Sequence, residues 1–381
     1  MLGLSKLLQA VKGARLGAIL NPTSVTPELR HLADVLHEQG SLKALFGPEH
    51  GVRGDVQYLV DVGEAHDPRT GIVEHSLYGK DFASLTPRDE HLRDLDSLLF
   101  DVQDVGARYY TYLATMGLAM QAAARNKLRF VVLDRPNPIG GVEVEGGIVH
   151  AGFESFVGLW PISARHGLTA GEMARLLNQE IKADLQVIEL MGWKRSMLYG
   201  ETGLPWVIPS PNMPTVETAL IYPGMCLLEG TNLSEGRGTT KPFELWGAPW
   251  LDGQKLAEDL ARERLHGVRF RPCSFTPTWD KHKGARCHGV QIHITDALAL
   301  RPVQLGVACV VQARNQDPAK FRWRTERYEF VDDKPAIDLL TGSAQFREQV
   351  EQGAGVLELC AAWDGERAAF AKRRESVLLY G

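Results

Sequence analysis

Polar side chains follow each of four short apolar segments early in the sequence. Asn21 begins NPTS after the first segment, and GPEHG, residues 47–51, follows the second. The third segment ends at Asp101 and leads into GARYYT, residues 106–111, and DRPNP, residues 134–138, follows the fourth. In an open parallel α/β sheet the carboxyl ends of the strands lie along one edge, where ligands generally bind. We therefore expect a row of carboxylates, amides and hydroxyls at one edge of a sheet.

Glu49 is the residue that this pattern favours for catalysis. It lies between a proline and a histidine in a turn bounded by glycines, so the backbone fixes its carboxyl and a substrate can approach closely. Burial in a cleft raises the pKa of a carboxyl and makes it a general acid near neutral pH. The alternative is a solvated glutamate that caps a local amide.

Other polar residues near these segments have candidate roles. Asp101 and Asp104 are candidates for a second carboxylate, although Asp101 can equally cap a helix or pair with Arg108. His50 and His166 are candidates for orienting the site, with a structural hydrogen bond as the alternative. Further substrate contacts, including a stacking wall for a sugar ring, are expected from Asn21, Asn137, Tyr109, Tyr110 and Tyr112.

The spacing of the apolar segments predicts the fold class. Short strands that are apolar throughout alternate with helical patterns, which predicts an α/β protein with a Rossmann-like parallel sheet and helices on both faces. One helical pattern covers residues 27–39, and another opens with a capping box formed by Thr169 and Glu172.

The second half of the sequence is less regular. Residues 203–250 are rich in Gly, Pro, Asn and Thr, which predicts a long loop region. We expect a Rossmann-like N-terminal subdomain over residues 1–205 that carries the catalytic edge. A smaller α+β subdomain is expected over residues 206–381, beginning with this loop region as the lining of a cleft.

Charge and composition exclude several classes of function. The chain has 381 residues, with 42 Lys and Arg against 47 Asp and Glu, and a mildly acidic surface is not expected to bind nucleic acid. No phosphate loop, dinucleotide fingerprint or nucleophile elbow is present. The five cysteines lack zinc-site spacing, so neither a metal nor another cofactor is expected. No signal-peptide core or membrane span is visible, so we expect a cytoplasmic protein without a membrane partner.

A series of longer motifs gives the sequence a family resemblance. They are NPTSV (21–25), FGPEHGVRG (46–54), FDVQDVGARYYTYL (100–113), DRPNPIGG (134–141), RHGLTAGEMA (165–174), PSPNMPT (209–215) and YPGMCLLEGTNLSEGRGTTKPFELWGAPW (222–250). In this order they resemble the NamZ-like exo-β-N-acetylmuramidase family of glycoside hydrolases. The resemblance implies a Rossmann-like subdomain, a smaller C-terminal subdomain and an active cleft between them. It also implies removal of terminal N-acetylmuramic acid from the non-reducing ends of peptidoglycan fragments.

The resemblance implies that Glu49 is the catalytic glutamate of the family's GPEHG motif. Hydrolysis of a β-glycoside needs a protonated carboxyl at the leaving oxygen and a base or nucleophile on the other face of the sugar. Glu49 is the expected acid, and Asp101, Asp104 and Glu235 are the candidates for the second group. Attack by the acetamido group of the substrate is a further possibility that needs no enzyme nucleophile. The family's other cleft motifs match Asp101, Arg108, Tyr109, Asn137, His166, Asn232, Glu235 and Arg237.

The substrate that the resemblance implies is an anion. Its lactyl carboxylate distinguishes muramic acid from glucosamine and suits a planar guanidinium, for which Arg53, Arg108 and Arg237 are the candidates. Because many relatives are exported and no signal peptide is visible here, soluble muropeptides or disaccharides from wall turnover are the expected substrates. The alternatives are a non-catalytic muropeptide-binding protein and a glycosidase of different N-acetyl sugar specificity.

Overall fold

A mostly parallel sheet organises the N-terminal domain. The computed structural model describes residues 1–54 and 65–381, and in this part of the chain the sheet has seven strands. They are β1 (Leu16–Leu20), β2 (Leu42–Gly47), β3 (Ala65–His66), β4 (Val73–Ser76), β5 (Ser97–Asp101), β6 (Arg129–Leu133) and β7 (Asp184–Ile188). Their order is β3-β4-β2-β1-β5-β6-β7, and only the β3–β4 pair among these strands is antiparallel. This arrangement confirms the predicted fold class.

Helices cover both faces of this sheet. They are α1 (Leu4–Ala10), α2 (Leu32–Glu38), α3 (Asp89–Leu92), α4 (Tyr112–Arg125) and α5 (Ala170–Ile181). Alternate residues of a strand enter different hydrophobic cores: Leu99 packs with α1 and α2, whereas Leu98 and Phe100 pack with α4 and α5. Burial on both faces is the reason that the strands are apolar along their whole length.

Two predicted helix starts have different outcomes. The helix predicted over residues 27–39 begins only at Leu32, so its first turn was wrong. Residues 26–30 form a turn in which Leu29 has a φ of +63°, and His31 caps the helix with its side chain. The capping box is confirmed, because the Thr169 hydroxyl accepts from the Glu172 amide at 3.2 Å and the Glu172 carboxylate accepts from the Thr169 amide at 3.1 Å.

The C-terminal domain combines a small sheet with several helices. Within the described residues its sheet has three antiparallel strands, in the order β8-β10-β9. The strands are β8 (Leu245–Ala248), β9 (Val268–Phe275) and β10 (Cys287–Ile294). The helices are α6 (Val216–Met225), α7 (Gly253–Arg262), α8 (Pro302–Gln316), α9 (Ala336–Thr341), α10 (Gln345–Glu351), α11 (Val356–Ala361) and α12 (Asp364–Glu375).

The loop region predicted over residues 203–250 contains a buried helix and a strand, so that prediction was wrong in part. Helix α6 includes Pro223 and Gly224, which are unfavourable inside an exposed helix. It forms because it packs tightly on α8. A Cβ atom on Gly306 would lie 2.0 Å from the Gly224 carbonyl oxygen, so this close crossing requires glycine.

The end of the chain returns to the N-terminal domain. Arg374 of α12 donates hydrogen bonds to the carbonyls of Gly141 and Gly167, at 3.0 and 2.9 Å. The Tyr380 hydroxyl donates to Asp134 at 2.6 Å. These contacts join the two domains, and the boundary between residues 205 and 206 stays a prediction. No helix in residues 1–54 and 65–381 is long and apolar enough to cross a membrane.

Candidate active site

A cavity of about 150 Å³ lies at the carboxyl end of β2, where the N-terminal domain meets loops of the C-terminal domain. Both domains supply its lining. The N-terminal domain contributes Glu49, His50, Tyr109, Tyr110, Thr111, Tyr112 and Val157. The C-terminal domain contributes most of the charged groups, which are Glu229, Glu235, Arg237, Asp280, Arg324 and Glu329.

A tight turn after β2 places Glu49 in the cavity. The Gly51 amide donates a hydrogen bond to the Pro48 carbonyl at 2.9 Å, which leaves Glu49 and His50 as the central residues of the turn. His50 has a φ of +75°, as the second central residue of a type II turn requires. Glu74 on β4 secures the turn, because its carboxylate accepts a hydrogen bond from the Val52 amide at 2.9 Å. The predicted glycine-bounded turn is therefore present and fixes the Glu49 backbone.

The surroundings of Glu49 favour its protonated form. Its side chain is 20% exposed, and burial raises the pKa of its carboxyl. The nearby charges of His50 and Arg237 oppose this rise, whereas the charge of Glu229 adds to it. His50 Nε2 lies 3.8 Å from Glu49 Oε1, so His50 faces the same carboxyl. A carboxyl with a raised pKa retains its proton closer to neutral pH, as a general acid must.

Glu229 is a carboxylate with the opposite tendency. It lies in a 3-10 helix, Cys226–Gly230, directly after α6. Its Oε1 is 2.7 Å from Arg237 Nη2, and its Oε2 accepts a hydrogen bond from the Tyr328 hydroxyl at 3.0 Å. Burial acts to raise the pKa of Glu229, but the charge and hydrogen bond of Arg237, with help from Lys281 and Tyr328, lower it below its ordinary value. Glu229 is therefore ionised at neutral pH.

Glu235 also lines the cavity, but two cations neutralise it. Its carboxylate lies 3.1 Å from Arg237 Nε and 2.8 Å from Lys281 Nζ. Paired backbone hydrogen bonds between Ser234 and Gly247 fix this segment to β8. Glu235 is thus placed in the predicted site, where its contacts orient Arg237 and Lys281.

Glu329 enters the cavity from a strained turn. Tyr328 and Val331 exchange two backbone hydrogen bonds of 3.0 Å, and the two residues between them have φ values of +46° and +71°. Positive φ at both central positions normally selects Asn and Gly, so a glutamate and a phenylalanine here are held by their surroundings. Phe330 packs against Tyr78 and two other aromatic rings. Burial, together with the charges of Glu49 and Glu229, raises the pKa of Glu329 to about 8.

Three tyrosines form one aromatic wall of the site. The rings of Tyr110 and Tyr112 pack edge to face at 5.0 Å, and Tyr222 packs against both Tyr109 and Tyr110. The Tyr109 hydroxyl donates to the Pro223 carbonyl, and the Tyr112 hydroxyl donates to a second backbone carbonyl at 2.6 Å. These contacts fix the wall that the sequence predicted, although all three rings are almost fully buried.

Asp101 and Asp104, the predicted candidates for the second catalytic group, do not line the cavity, and both are buried in structural contacts. Asp101 is fully buried and forms an ion pair with Arg135, with Oδ2 and Nη2 2.9 Å apart. One Asp104 oxygen accepts from the Gly106 amide at 2.7 Å and lies 3.4 Å from His166 Nε2. His166 is itself fully buried and accepts a backbone hydrogen bond at Nδ1, so it supports Asp104 instead of contacting a ligand.

Two of the three arginines proposed as carboxylate binders have structural roles. Arg53 pairs with Asp34 and Asp67, each at 2.7 Å. Arg108 is buried and donates to three backbone carbonyls, one of which is that of Leu340 in α9, so it joins the two domains. Burial lowers the pKa of Arg108 to about 10. Both guanidinium groups are therefore already engaged by protein groups, and neither lines the cavity.

The three predicted asparagines also serve the fold. Asn21 is fully buried and accepts from the Thr23 amide at 2.9 Å. Asn137 donates to the Leu168 carbonyl at 2.9 Å, and Asn232 bonds the backbone of residues 320–322. Their side chains stabilise loop conformations, and none of the three lines the cavity.

Sequence reasoning missed Glu229, Arg324 and Glu329. Glu229 lies inside the motif YPGMCLLEGTNLSEGRG, which was a signal that could have found it. Arg324 and Glu329 lie in an irregular segment without periodicity or a motif. Their position in the cavity depends on how the C-terminal domain docks on the sheet.

The fold and the cavity define a class of protein. The cavity between the α/β domain and the smaller domain holds carboxyl groups whose pKa values shift in opposite directions, which fits the pair of carboxyl groups used in glycoside hydrolysis. The family model for the N-terminal part of the exo-β-N-acetylmuramidase NamZ matches residues 16–217, and the model for its C-terminal part matches residues 220–380. The chain therefore belongs to the exo-β-N-acetylmuramidase NamZ family of glycoside hydrolases.

Individual relatives agree with this assignment. The chain is 46% identical over 374 residues to the peptidoglycan β-N-acetylmuramidase NamZ of Bacillus subtilis, covering 97% of this chain and 88% of that protein. Crystal structures of two DUF1343 family proteins from Bacteroides fragilis are similar in fold. The first has a TM-score of 0.91 and 37% identity, and the second has 0.80 and 29%. Each comparison covers 100% of this chain and 98% of the other.

Proposed function

We propose that this chain is an exo-acting β-N-acetylmuramidase in which Glu49 is the general acid. The observation that carries the proposal is the pairing of Glu49, whose pKa is raised by burial, with the ionised Glu229 in one cavity. Most glycosidases use one protonated and one ionised carboxyl at the scissile bond. The name of the Bacillus subtilis relative supports peptidoglycan as the substrate class.

The proposed reaction uses the proton of Glu49 and the negative charge of Glu229. Glu49 donates its proton to the glycosidic oxygen as the bond from that oxygen to the anomeric carbon breaks. Positive charge develops on the sugar ring in an oxocarbenium-like transition state. Glu229, held by Arg237 and Tyr328, supplies negative charge that stabilises this state. Water then adds to the anomeric carbon and gives a proton to the Glu49 carboxylate, which restores the acid, and the free sugar and the shortened glycan leave.

The cavity and the matching family models support removal of one terminal sugar. Its volume is about 150 Å³, and the family models that match the chain both describe an exo-β-N-acetylmuramidase. The wall of Tyr109, Tyr110 and Tyr112 provides apolar surface for a ring face. We propose peptidoglycan-derived muropeptides or disaccharides with N-acetylmuramic acid at the non-reducing end as the substrates.

A pair of chromogenic glycosides tests this function. Purified protein is incubated with an aryl β-N-acetylmuramide and with the corresponding β-N-acetylglucosaminide. We expect release from the muramide, and we expect Glu49→Gln to reduce kcat on a disaccharide with N-acetylmuramic acid at its non-reducing end by about 10²- to 10⁴-fold. The matched control is Glu38→Gln on the exposed end of α2, whose side chain is 63% exposed.

Each alternative has its own outcome in this experiment. Tight binding of N-acetylmuramic acid in calorimetry without turnover of the muramide indicates a muropeptide-binding protein. Faster release from the glucosaminide indicates a glycosidase of different N-acetyl sugar specificity. Equal rates for wild type and Glu49→Gln contradict the role of Glu49.

A further inference from the structure

The cavity contains more acidic groups than basic ones, although the proposed substrate is an anion. In the described part of the chain its lining includes five carboxyl residues and two arginines, Arg237 and Arg324. A sugar that carries a carboxylate is repelled by such a lining unless a cation is available to it. The binding of this substrate therefore depends on which arginine is free to accept it.

Arg237 is already occupied by protein carboxylates. It forms ion pairs with Glu229 at 2.7 Å and with Glu235 at 3.1 Å, and its guanidinium lies over the Phe243 ring at 5.4 Å. Burial acts to lower the pKa of Arg237, but these carboxylates hold it well above its usual range. A substrate carboxylate at Arg237 would have to displace Glu229 or Glu235. The sequence-based prediction of Arg237 as the lactyl ligand is therefore disfavoured.

Arg324 is the other guanidinium of the lining, and its position is fixed. Its amide donates to the Gly230 carbonyl at 2.9 Å, and its carbonyl accepts from the Ala336 amide at 3.0 Å. Its guanidinium carbon lies 4.9 Å from the centre of the Tyr328 ring. Within residues 1–54 and 65–381, Arg324 has no carboxylate within 4.0 Å. Stacking on a ring leaves the N–H groups at the edge of a guanidinium available for a carboxylate.

One acidic group of the cavity interacts with Arg324 without neutralising it. Glu329 lies close enough for the two charges to interact. Burial and the charges of Glu49 and Glu229 raise the pKa of Glu329 to about 8, so this carboxyl is largely neutral at pH 7. In its neutral form Glu329 does not compete with a substrate carboxylate for the Arg324 guanidinium.

We propose that Arg324 is the specificity-determining residue of the site and binds the lactyl carboxylate of the terminal N-acetylmuramic acid through its guanidinium edge. This inference rests on the proposed muramidase function, because it assigns a ligand to the same cavity. The Tyr328 ring stacks on the Arg324 guanidinium, and the Tyr328 hydroxyl donates a hydrogen bond to Glu229. One tyrosine therefore positions both the arginine and the ionised carboxylate. Glucosamine derivatives lack the lactyl group, so Arg324 does not contribute to their binding.

The test compares Arg324→Gln with a matched control, Arg327→Gln, in which the exposed arginine lies three residues further along. We expect Arg324→Gln to raise KM for the aryl β-N-acetylmuramide by about 10- to 100-fold, as for loss of a charge-assisted hydrogen bond, with kcat changed less than threefold. The KM for the aryl β-N-acetylglucosaminide stays unchanged, and Arg324→Lys restores part of the binding. The control keeps the wild-type KM for both sugars.

A modified ligand gives a second measurement that needs no variant. Calorimetry compares free N-acetylmuramic acid with its lactyl methyl ester. Wild type is expected to bind the acid at least tenfold more tightly, and Arg324→Gln is expected to bind both equally. Equal binding of the acid and the ester by wild type overturns the inference. An Arg324→Gln protein whose KM rises by the same factor for the muramide and the glucosaminide also overturns it. Wild type that binds the acid selectively but hydrolyses no muramide overturns the proposed function and leaves the role of Arg324 intact.

Discussion

The Tyr328 hydroxyl donates a hydrogen bond to Glu229 Oε2 at 3.0 Å across 99 residues of sequence. Both residues line the cavity, and the bond helps to keep Glu229 ionised beside Glu49, whose pKa burial raises. The contacts of the two carboxyl groups, and not their residue type, therefore shift their pKa values in opposite directions.

Replacement of Tyr328 by Phe removes a donor to the ionised form of Glu229, so the pKa of Glu229 rises. The acidic limb of the kcat/KM pH profile, where Glu229 must lose its proton, is expected to move up by about one pH unit. Measurement of the profile with the aryl β-N-acetylmuramide checks this shift. Tyr199→Phe, which removes a hydroxyl bonded to the Pro205 carbonyl, is the control. An unmoved acidic limb would show that Glu229 does not titrate in catalysis.

The importance of Glu49 depends on the leaving group. An acidic phenol departs without protonation, so Glu49→Gln is expected to lose only about tenfold in kcat on such an aryl muramide. On a disaccharide, whose sugar hydroxyl is a poor leaving group, the loss is expected to be about 10³-fold. Rates for a series of phenols of increasing pKa measure this dependence. Equal losses on all substrates would exclude proton donation by Glu49.

The raised pKa of Glu329 makes stability depend on pH. Its folded pKa is about 8 against an ordinary value of 4.5, so between these values the unfolded chain has released a proton that the folded chain still holds. The free energy of unfolding therefore falls as pH rises from 4.5 towards 8, by up to about 5 kcal/mol.

Glu329→Gln removes this dependence. Urea unfolding at pH 5 and at pH 8 is expected to show a smaller loss of stability for Glu329→Gln than for wild type. Glu326→Gln, an exposed substitution in the same segment, should follow wild type. A variant as sensitive to pH as wild type would mean that Glu329 is ionised throughout.

Asp101 is expected to affect stability and not the chemistry. Asp101→Asn leaves Arg135 buried without its counter-charge, which costs about 3–5 kcal/mol of unfolding free energy. The exposed Arg129–Asp184 pair provides the comparison, because Asp184→Asn should cost less than about 1 kcal/mol. Chemical denaturation measures both. The pH profile of kcat/KM for any folded Asp101→Asn protein should match that of wild type. A shifted profile would indicate that Asp101 takes part in the reaction.

The sequence predicted the parts of the fold that local patterns determine. Strands such as Leu16–Leu20 are apolar throughout, and the Thr169–Glu172 capping box is a local signal. Helix α6 escaped prediction because Pro223 and Gly224 disfavour a helix on their own. Its close contact with Gly306 of α8 determines its conformation, and that contact is distant in sequence.

The same distinction applies to the candidate site. The turn that carries Glu49 has a local sequence signal, so its position at the end of β2 could be predicted. Asp101 is likewise the last residue of strand β5, but Arg135, which follows the neighbouring strand β6, forms an ion pair with it. Asp101 therefore does not line the cavity. Arg324 and Glu329 enter the cavity only when the domains dock. No hydrophobic periodicity in their own segment indicates that contact.

The division of the cavity between two domains has a consequence during protein synthesis. Glu49 leaves the ribosome early, whereas Tyr328 and Arg324 emerge only when most of the 381 residues have been translated. A polypeptide truncated before Glu229 carries the acid without its ionised partner. Incomplete translation products are therefore expected to be inert towards wall glycans, and hydrolysis begins only with a finished, docked chain.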